Sequence, residues 1–305
     1  MALFRKYKTP KELLTGFLLE KEIGIQYKSF RTYAGQIPVF TDWLEEHGYG
    51  DLPIRKITPE TIADFFYFLA VEKGLDKPTC QKYFLNIRQL FQYAEKRGEL
   101  EILPFDLVVF PRKKKDQGAD VIQAVHLKPL LEEIKKCDPQ LFLACMIQYY
   151  CFIRPGRELR LLRVGDIDLD NGLIVVQQIH AKNKLRQTVT MPNHLIEICR
   201  EYGIAEANKS LFVFGKKKRF GTVPVSVNML RYRFNQIKNR LNLPNGYKLY
   251  SMKHTGASNL HKSGISMREL MDQLRHTQLE ATSHYLKKHC GIVNDRIRNS
   301  FPSPI

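Results

Sequence analysis

The sequence predicts a two-domain, mostly α-helical chain whose second part carries one small β-sheet. Three observations predict it. A length of 305 residues exceeds what one small core needs and accommodates two. Apolar residues recur at helical spacing through the first third. The stretch FPRKKKDQGAD at residues 110–120, with a proline, a cationic run and a glycine, then interrupts the periodicity, and beyond it helical segments enclose one β-like passage.

Each element has its own local signal. In residues 1–109, Phe17–Lys21 and Tyr27–His47 show helical spacing, the second through Tyr33, Ile37, Phe40, Trp43 and Leu44. Gly48 and Gly50 follow it. In ITPETIADFFYFLA, Thr58 is an N-cap oxygen and Pro59 sits in the first turn, where its missing N–H is no loss. Lys77-Pro78-Thr79 opens CQKYFLNIRQLFQYAEKRG, which stops at Gly98, and the proline within Leu103–Asp106 ends the pattern. Residues 110–120 are read as an interdomain linker. In residues 121–305, helices are predicted over Lys128–Lys136 and Pro139–Cys151. The extended runs of GLIVVQQIHAKNKLRQTVTMP then flank the polar centre AKNKLR. Helices return at His194–Tyr202, Val227–Leu241, Ser251–Lys262, Ser266–Gln273 and around Tyr285.

Charge narrows the partner. A net charge of +17 predicts an anionic surface, nucleic acid or acidic membrane. No apolar run is long enough to span a bilayer, and MALFRKYKTPKELL turns polar too soon for a signal peptide. The expectation is therefore a cytoplasmic protein with nucleic acid as its leading partner, which would make it nucleoid-associated. Positive charge lies in both parts and the linker, which suits a clamp around a duplex. The linker residues Arg112, Lys113, Lys114 and Lys115 read either as a solvated loop or as phosphate contacts, and the basic chain favours the latter. Six cysteines show no CxxC pair and no Cys/His zinc spacing, so reduced thiols and no metal are expected.

The segment FIRPGRELRLLRVGDIDLDNG, residues 152–172, carries the strongest chemical signal. An arginine ahead of a helix start is electrostatically unfavourable unless an anion sits there. Arg154 therefore either grips a phosphate with its planar fork or pairs with Glu158 or Asp166. In LRHTQLEATSHY, His276 precedes Tyr285 by nine positions; taken alone, that pair is more often packing than chemistry.

Taken in order, these segments resemble the tyrosine recombinase (phage integrase) family over nearly the whole chain. FIRPGRELRLLRVGDIDL is similar to that family's first arginine box, although Glu158 follows Arg154 by four positions where three is usual. The first third, ending in FQYAEKRG, resembles its helical, SAM-like core-binding domain; the remainder would be the α+β catalytic domain. Counting back from Val189-Thr190-Met191-Pro192, Lys182 takes the family's hairpin lysine position, with Lys184 the alternative. In YSMKHTGAS, His254 and Thr255 match the second box, while Tyr250 and Lys253 stand where histidine and arginine are common. LRHTQLEATSHY resembles the last box, with Arg275 where glycine is frequent.

The resemblance implies a site-specific DNA recombinase acting through a 3′-phosphotyrosyl intermediate, in integration, excision or inversion. Tyr285 would be the nucleophile, with Arg154, Tyr250, Lys253 and His276 forming the phosphate cradle and Lys182 protonating the 5′ leaving oxygen. Arg112, Lys113, Lys114, Lys115, Arg157, Lys184 and His254 are candidate DNA contacts, joined by Arg160. No cofactor is implied. The working assembly would be a homo-tetramer on paired double-stranded sites, monomeric when free, and the tail after Tyr285 would dock on a neighbour or pack on itself. No additional arm-binding domain is evident before residue 10. Two other readings remain: a DNA-binding protein that has lost cleavage, and a type IB topoisomerase-like nicking-closing enzyme.

Overall fold

The computed structural model describes residues 7–112, 118–181 and 184–289. The chain divides into two compact units, Met1–Asp116 and Gln117–Ile305. The first is helical: α1 (Pro10–Gly24), α2 (Tyr27–Glu46), α3 (Pro59–Tyr67) and α4 (Lys77–Glu95). Helix α1 begins well before the predicted Phe17, because Thr9 and Glu12 form a reciprocal capping box and Pro10 occupies the first turn. Thr58 accepts from the Thr61 N–H and starts α3, which runs on into a π-helical turn, Phe68–Glu72. Asp76 caps α4 through the Thr79 N–H. The core of this unit is aromatic: Phe40 meets Phe65 edge-on at 5.0 Å, and Phe91 meets Phe105 at 5.2 Å.

The second unit opens with α5 (Ala124–Cys137) and α6 (Pro139–Cys151), followed by the single turn α7 (Arg157–Arg160). Three short strands come next: β1 (Ile167–Asp168), β2 (Leu173–Val176) and β3 (Gln187–Thr190). They form an antiparallel sheet in that order, with Leu173 opposite Thr190 and Val176 opposite Gln187. Ile174, Val176 and Val189 face inward, as the alternation requires. The extended run after Gly172 stops at Val176, earlier than expected, because the backbone turns at Gln177, whose carbonyl accepts from the His180 N–H. Five helices complete the unit: α8 (Asn193–Glu201), α9 (Met229–Arg240), α10 (Ser251–Lys262), α11 (Met267–Leu274) and α12 (Leu279–His289).

Two polar connections, the first of them buried, hold the helices of this unit together. Asp138 caps α6 through the Leu141 N–H and takes Arg233 of α9 at 2.8 Å, while Gln140 accepts from the same guanidinium. Gln273 at the end of α11 brackets Thr190 of β3, accepting from its N–H at 3.1 Å and donating to its carbonyl at 2.8 Å. The side-chain amide thus extends the sheet's hydrogen bonding onto the helix. Under α10, α11 and α12 lies a small apolar cluster of Phe152, Ala257, Leu270, Leu274 and Leu286, against which Tyr285 packs. No described helix is long and apolar enough to cross a membrane.

Helices α6 and α10 approach almost backbone to backbone at Gly256. A Cβ there would sit 1.8 Å from the Tyr149 carbonyl oxygen. Gly256→Ala must therefore push the two helices apart, and we expect a loss of about 3 kcal/mol or more in chemical denaturation. An unchanged denaturation midpoint would contradict this close approach.

Candidate active site

The site begins with a left-handed residue. Phe152 ends α6 at φ 53, and this reversal turns its carbonyl toward α10 and the end of α11. That single oxygen accepts from Lys253 Nζ at 3.0 Å and from an Arg275 terminal nitrogen at 3.3 Å. Two residues later stands Arg154, whose guanidinium donates to Glu158 Oε1 at 2.8 Å while its backbone N–H donates to Oε2 at 3.0 Å. Glu158 Oε2 also accepts from Arg275 at 2.8 Å. The Glu158 and Arg275 side chains are each 2% exposed, and Arg154 is 27% exposed. One buried carboxylate thus joins two guanidinia, and part of Arg154 remains open to a ligand. Of the two readings the sequence left open for Arg154, the ion pair with Glu158 is present. It fixes the guanidinium rather than consuming it, since five N–H donors exceed what one carboxylate oxygen takes.

The charges reinforce one another. Burial alone would raise the Glu158 carboxyl; the Arg275 charge, followed by the Arg154 backbone N–H and charge, outweighs it and holds the group below its ordinary range. Burial, then the nearby Arg154 and Arg275, push Lys253 down to about 7 against the opposing pull of Glu158. Burial also leads for His276, with Lys253, Arg154 and Arg275 adding repulsion, and lowers it to about 4. His276 is therefore neutral at neutral pH, while Lys253 is divided between its two forms. Burial raises the Tyr250 phenol, with Arg154 opposing.

The tyrosine's neighbours differ from those the sequence suggests. Tyr285 Oη lies 2.7 Å from His254 Nδ1 and 3.5 Å from the Lys253 carbonyl. His276 stands edge-on to Tyr285 at 6.0 Å between ring centroids, and its Nδ1 bonds the Thr282 hydroxyl at 2.9 Å. The residue at the phenol is thus His254, buried on α10 and edge-on to Tyr250 at 4.9 Å. The residue expected as a DNA contact is placed beside the phenol, with little of its surface exposed. The structure brings together Arg154, Tyr250, Lys253, His254, His276 and Tyr285, and adds Glu158 and Arg275. Arg112, Arg157 and Lys184 are exposed, Lys184 at φ 57. Lys182 and the linker residues Lys113, Lys114 and Lys115 lie outside the described residues, as does the chain after His289. Among the described residues no cluster of histidine, cysteine or carboxylate side chains is arranged to hold a metal ion. The described cysteines are free thiols.

Comparison with known proteins gives the family and the fold. Residues 120–290 match the model of the phage integrase family, and residues 14–115 match the phage integrase SAM-like domain. The tyrosine recombinase XerC of Xanthomonas axonopodis pv. citri is 24% identical over 289 residues, covering 90% of each chain. A Pseudothermotoga lettingae tyrosine recombinase is 23% identical over 83% of this chain and 85% of its own. Among solved structures, the Tn1549 transposon integrase in complex with a circular intermediate DNA shares the fold at a TM-score of 0.75 and 16% identity. It covers 96% of this chain and 98% of that one. A lambda integrase tetramer bound to a Holliday junction has a TM-score of 0.75 at 14% identity, over 92% and 78% of the two chains.

Lys253 should cost the protein stability in a pH-dependent way. Between about pH 7 and the ordinary lysine value of 10.5, the folded state binds fewer protons than the unfolded. The penalty is full below pH 7 and fades as pH rises through that window. Lys253→Met is therefore expected to melt higher than the natural protein at pH 6, with the gap narrowing toward pH 9.5. A gap that widens with pH would refute the burial of this ammonium.

Proposed function

The chain belongs to the phage integrase family, and we infer that it is a site-specific DNA recombinase that breaks and rejoins strands through Tyr285. The observation that carries the inference is the Tyr285 hydroxyl, 2.7 Å from His254 Nδ1 and 3.5 Å from the carbonyl of Lys253, whose ammonium lies near Arg154, Arg275 and Glu158. A free phenol titrating near ~10 is a weak nucleophile at neutral pH. It needs a proton acceptor at its oxygen and a fixed positive field where phosphate charge develops.

In this reading the Tyr285 Oη–phosphorus bond forms as the phosphorus–O5′ bond breaks, roughly in line. The phenolic proton passes to His254 Nδ1 in the tautomer that leaves that nitrogen unprotonated. Arg154 and Lys253 neutralise the non-bridging oxygens, and Tyr250 and neutral His276 donate hydrogen bonds to them. The departing O5′ takes its proton from Lys182, the position assigned by family resemblance. The 5′-hydroxyl of a second strand then attacks the phosphotyrosine, reversing each transfer. Bond energy is conserved in the protein–DNA link, so no high-energy co-substrate enters the balance. The partner is double-stranded DNA. Four copies on two paired sites form the assembly that the lambda integrase tetramer on its Holliday junction suggests.

Covalent adducts mapped on genomic DNA would identify the target, and a duplex of that sequence nicked beside the scissile phosphate would trap the intermediate. The expected result is an SDS-stable adduct that disappears in Tyr285→Phe and forms about 10²-fold or more slowly in His254→Gln. Tight, sequence-specific binding without any adduct would instead support a recombinase fold that has lost cleavage, a reading motivated by Tyr250 and Lys253.

A further inference from the structure

Position 275 ends α11 in the left-handed region, at φ 58, with the His276 N–H closing onto the Met271 carbonyl. This is the helix-ending geometry that glycine fits without strain. An arginine stands there instead, and its side chain is fully packed. Its Nε is buried without an acceptor among the described residues. Backbone strain and an unsatisfied donor both oppose stability. A purely structural helix end would avoid both with a smaller residue.

The compensation lies in what Arg275 holds. One terminal nitrogen reaches Glu158 Oε2 at 2.8 Å and the Phe152 carbonyl at 3.3 Å. The same carboxylate fixes Arg154, and the same carbonyl fixes Lys253. Lysine at 253 is a point charge on a flexible stem and cannot itself define the orientation of a phosphate. We propose that Arg275 is the positioning residue of the phosphate cradle, locking Glu158 and the Phe152 carbonyl so that Arg154 and Lys253 stand aligned before DNA arrives. It thereby restores, from the end of α11, the fixed guanidinium that position 253 lacks. This inference rests on the recombinase reading of the same site.

Arg275 also sets the charge around Lys253. That ammonium is faced by Arg154 from the segment entering α7, by Glu158 of α7, and by Arg275 and His276 from the end of α11, while its residue's backbone carbonyl meets the Tyr285 hydroxyl of α12. Tyr250 and His254 flank it on its own helix. Removing one of the two guanidinia should let Lys253 keep its proton to higher pH.

The test uses single-turnover adduct formation on the nicked site, at saturating DNA from pH 6 to 10, for the full-length natural protein, Arg275→Gln and Arg275→Lys. Rates are normalised to the folded fraction. For Arg275→Gln we expect DNA affinity within about threefold, since contacts to the duplex backbone lie elsewhere. Its cleavage should fall by about 10²-fold, with the alkaline limb of the profile moved to higher pH. Arg275→Lys, which keeps charge but not the fork, should be intermediate in rate with its alkaline limb unmoved. A folded Gln variant whose normalised rate and profile equal the natural protein's would overturn the proposal. If the Gln variant does not fold, the Lys variant decides: slowed cleavage with intact binding supports the role, and natural cleavage overturns it. Failure of the natural protein to form any adduct would remove the recombinase reading and this proposal together. An active natural protein with unaffected variants would remove the Arg275 role alone.

Discussion

The Glu158 carboxylate is the constraint on which this site depends. It is buried and charged, and it accepts from the guanidinia of Arg154 and Arg275 on opposite oxygens. A buried charge is tolerable only when hydrogen-bonded and paired, and taking away one partner of such a pair typically costs about 3–5 kcal/mol. Glu158 therefore ties the segment that enters α7 to the end of α11. Without it, two guanidinia and the Lys253 ammonium would crowd together uncompensated. With it, the excess positive charge is held as a fixed field facing the open side of Arg154.

The rest of the second unit keeps this arrangement in register. Gly256 lets α10 lie against α6, so that Lys253 reaches the Phe152 carbonyl. Gln273 fastens α11 to β3 just before Arg275 and His276. The Phe152 side chain belongs to the apolar cluster against which Tyr285 packs while its carbonyl serves the two cations, so one residue with left-handed backbone contributes to both sides of the site. Burying Lys253 among like charges trades stability for a preorganised field, a common feature of catalytic sites.

Much of the fold was legible because its signals are local. Pro139–Cys151 and Ser251–Lys262 have the bounds that their spacing predicts, and Thr58 is the predicted cap. Strand β1 escaped notice because two residues show no alternation; it pairs only by folding back through the turn in which the Asn171 N–H and amide both donate to Asp168. The site was legible as a set of residues but not as a set of contacts. His276 and Tyr285 are close in sequence, yet the start of α12 at Leu279 intervenes, and the Nδ1 of His276 goes to Thr282. The phenol's partner, His254, lies 31 positions upstream, a separation with no periodic signature. Arg275 was visible only as a departure from glycine, and no sequence signal marks a backbone carbonyl such as that of Phe152.

The claim that one buried carboxylate organises the cradle is tested most directly by replacing it with its neutral isostere. Glu158→Gln keeps the shape but removes the charge that both guanidinia share. Measured as single-turnover adduct formation at saturating DNA, the account predicts a folded variant that binds its site yet cleaves about 10²-fold more slowly. A folded Glu158→Gln protein that cleaves at the natural rate would contradict it.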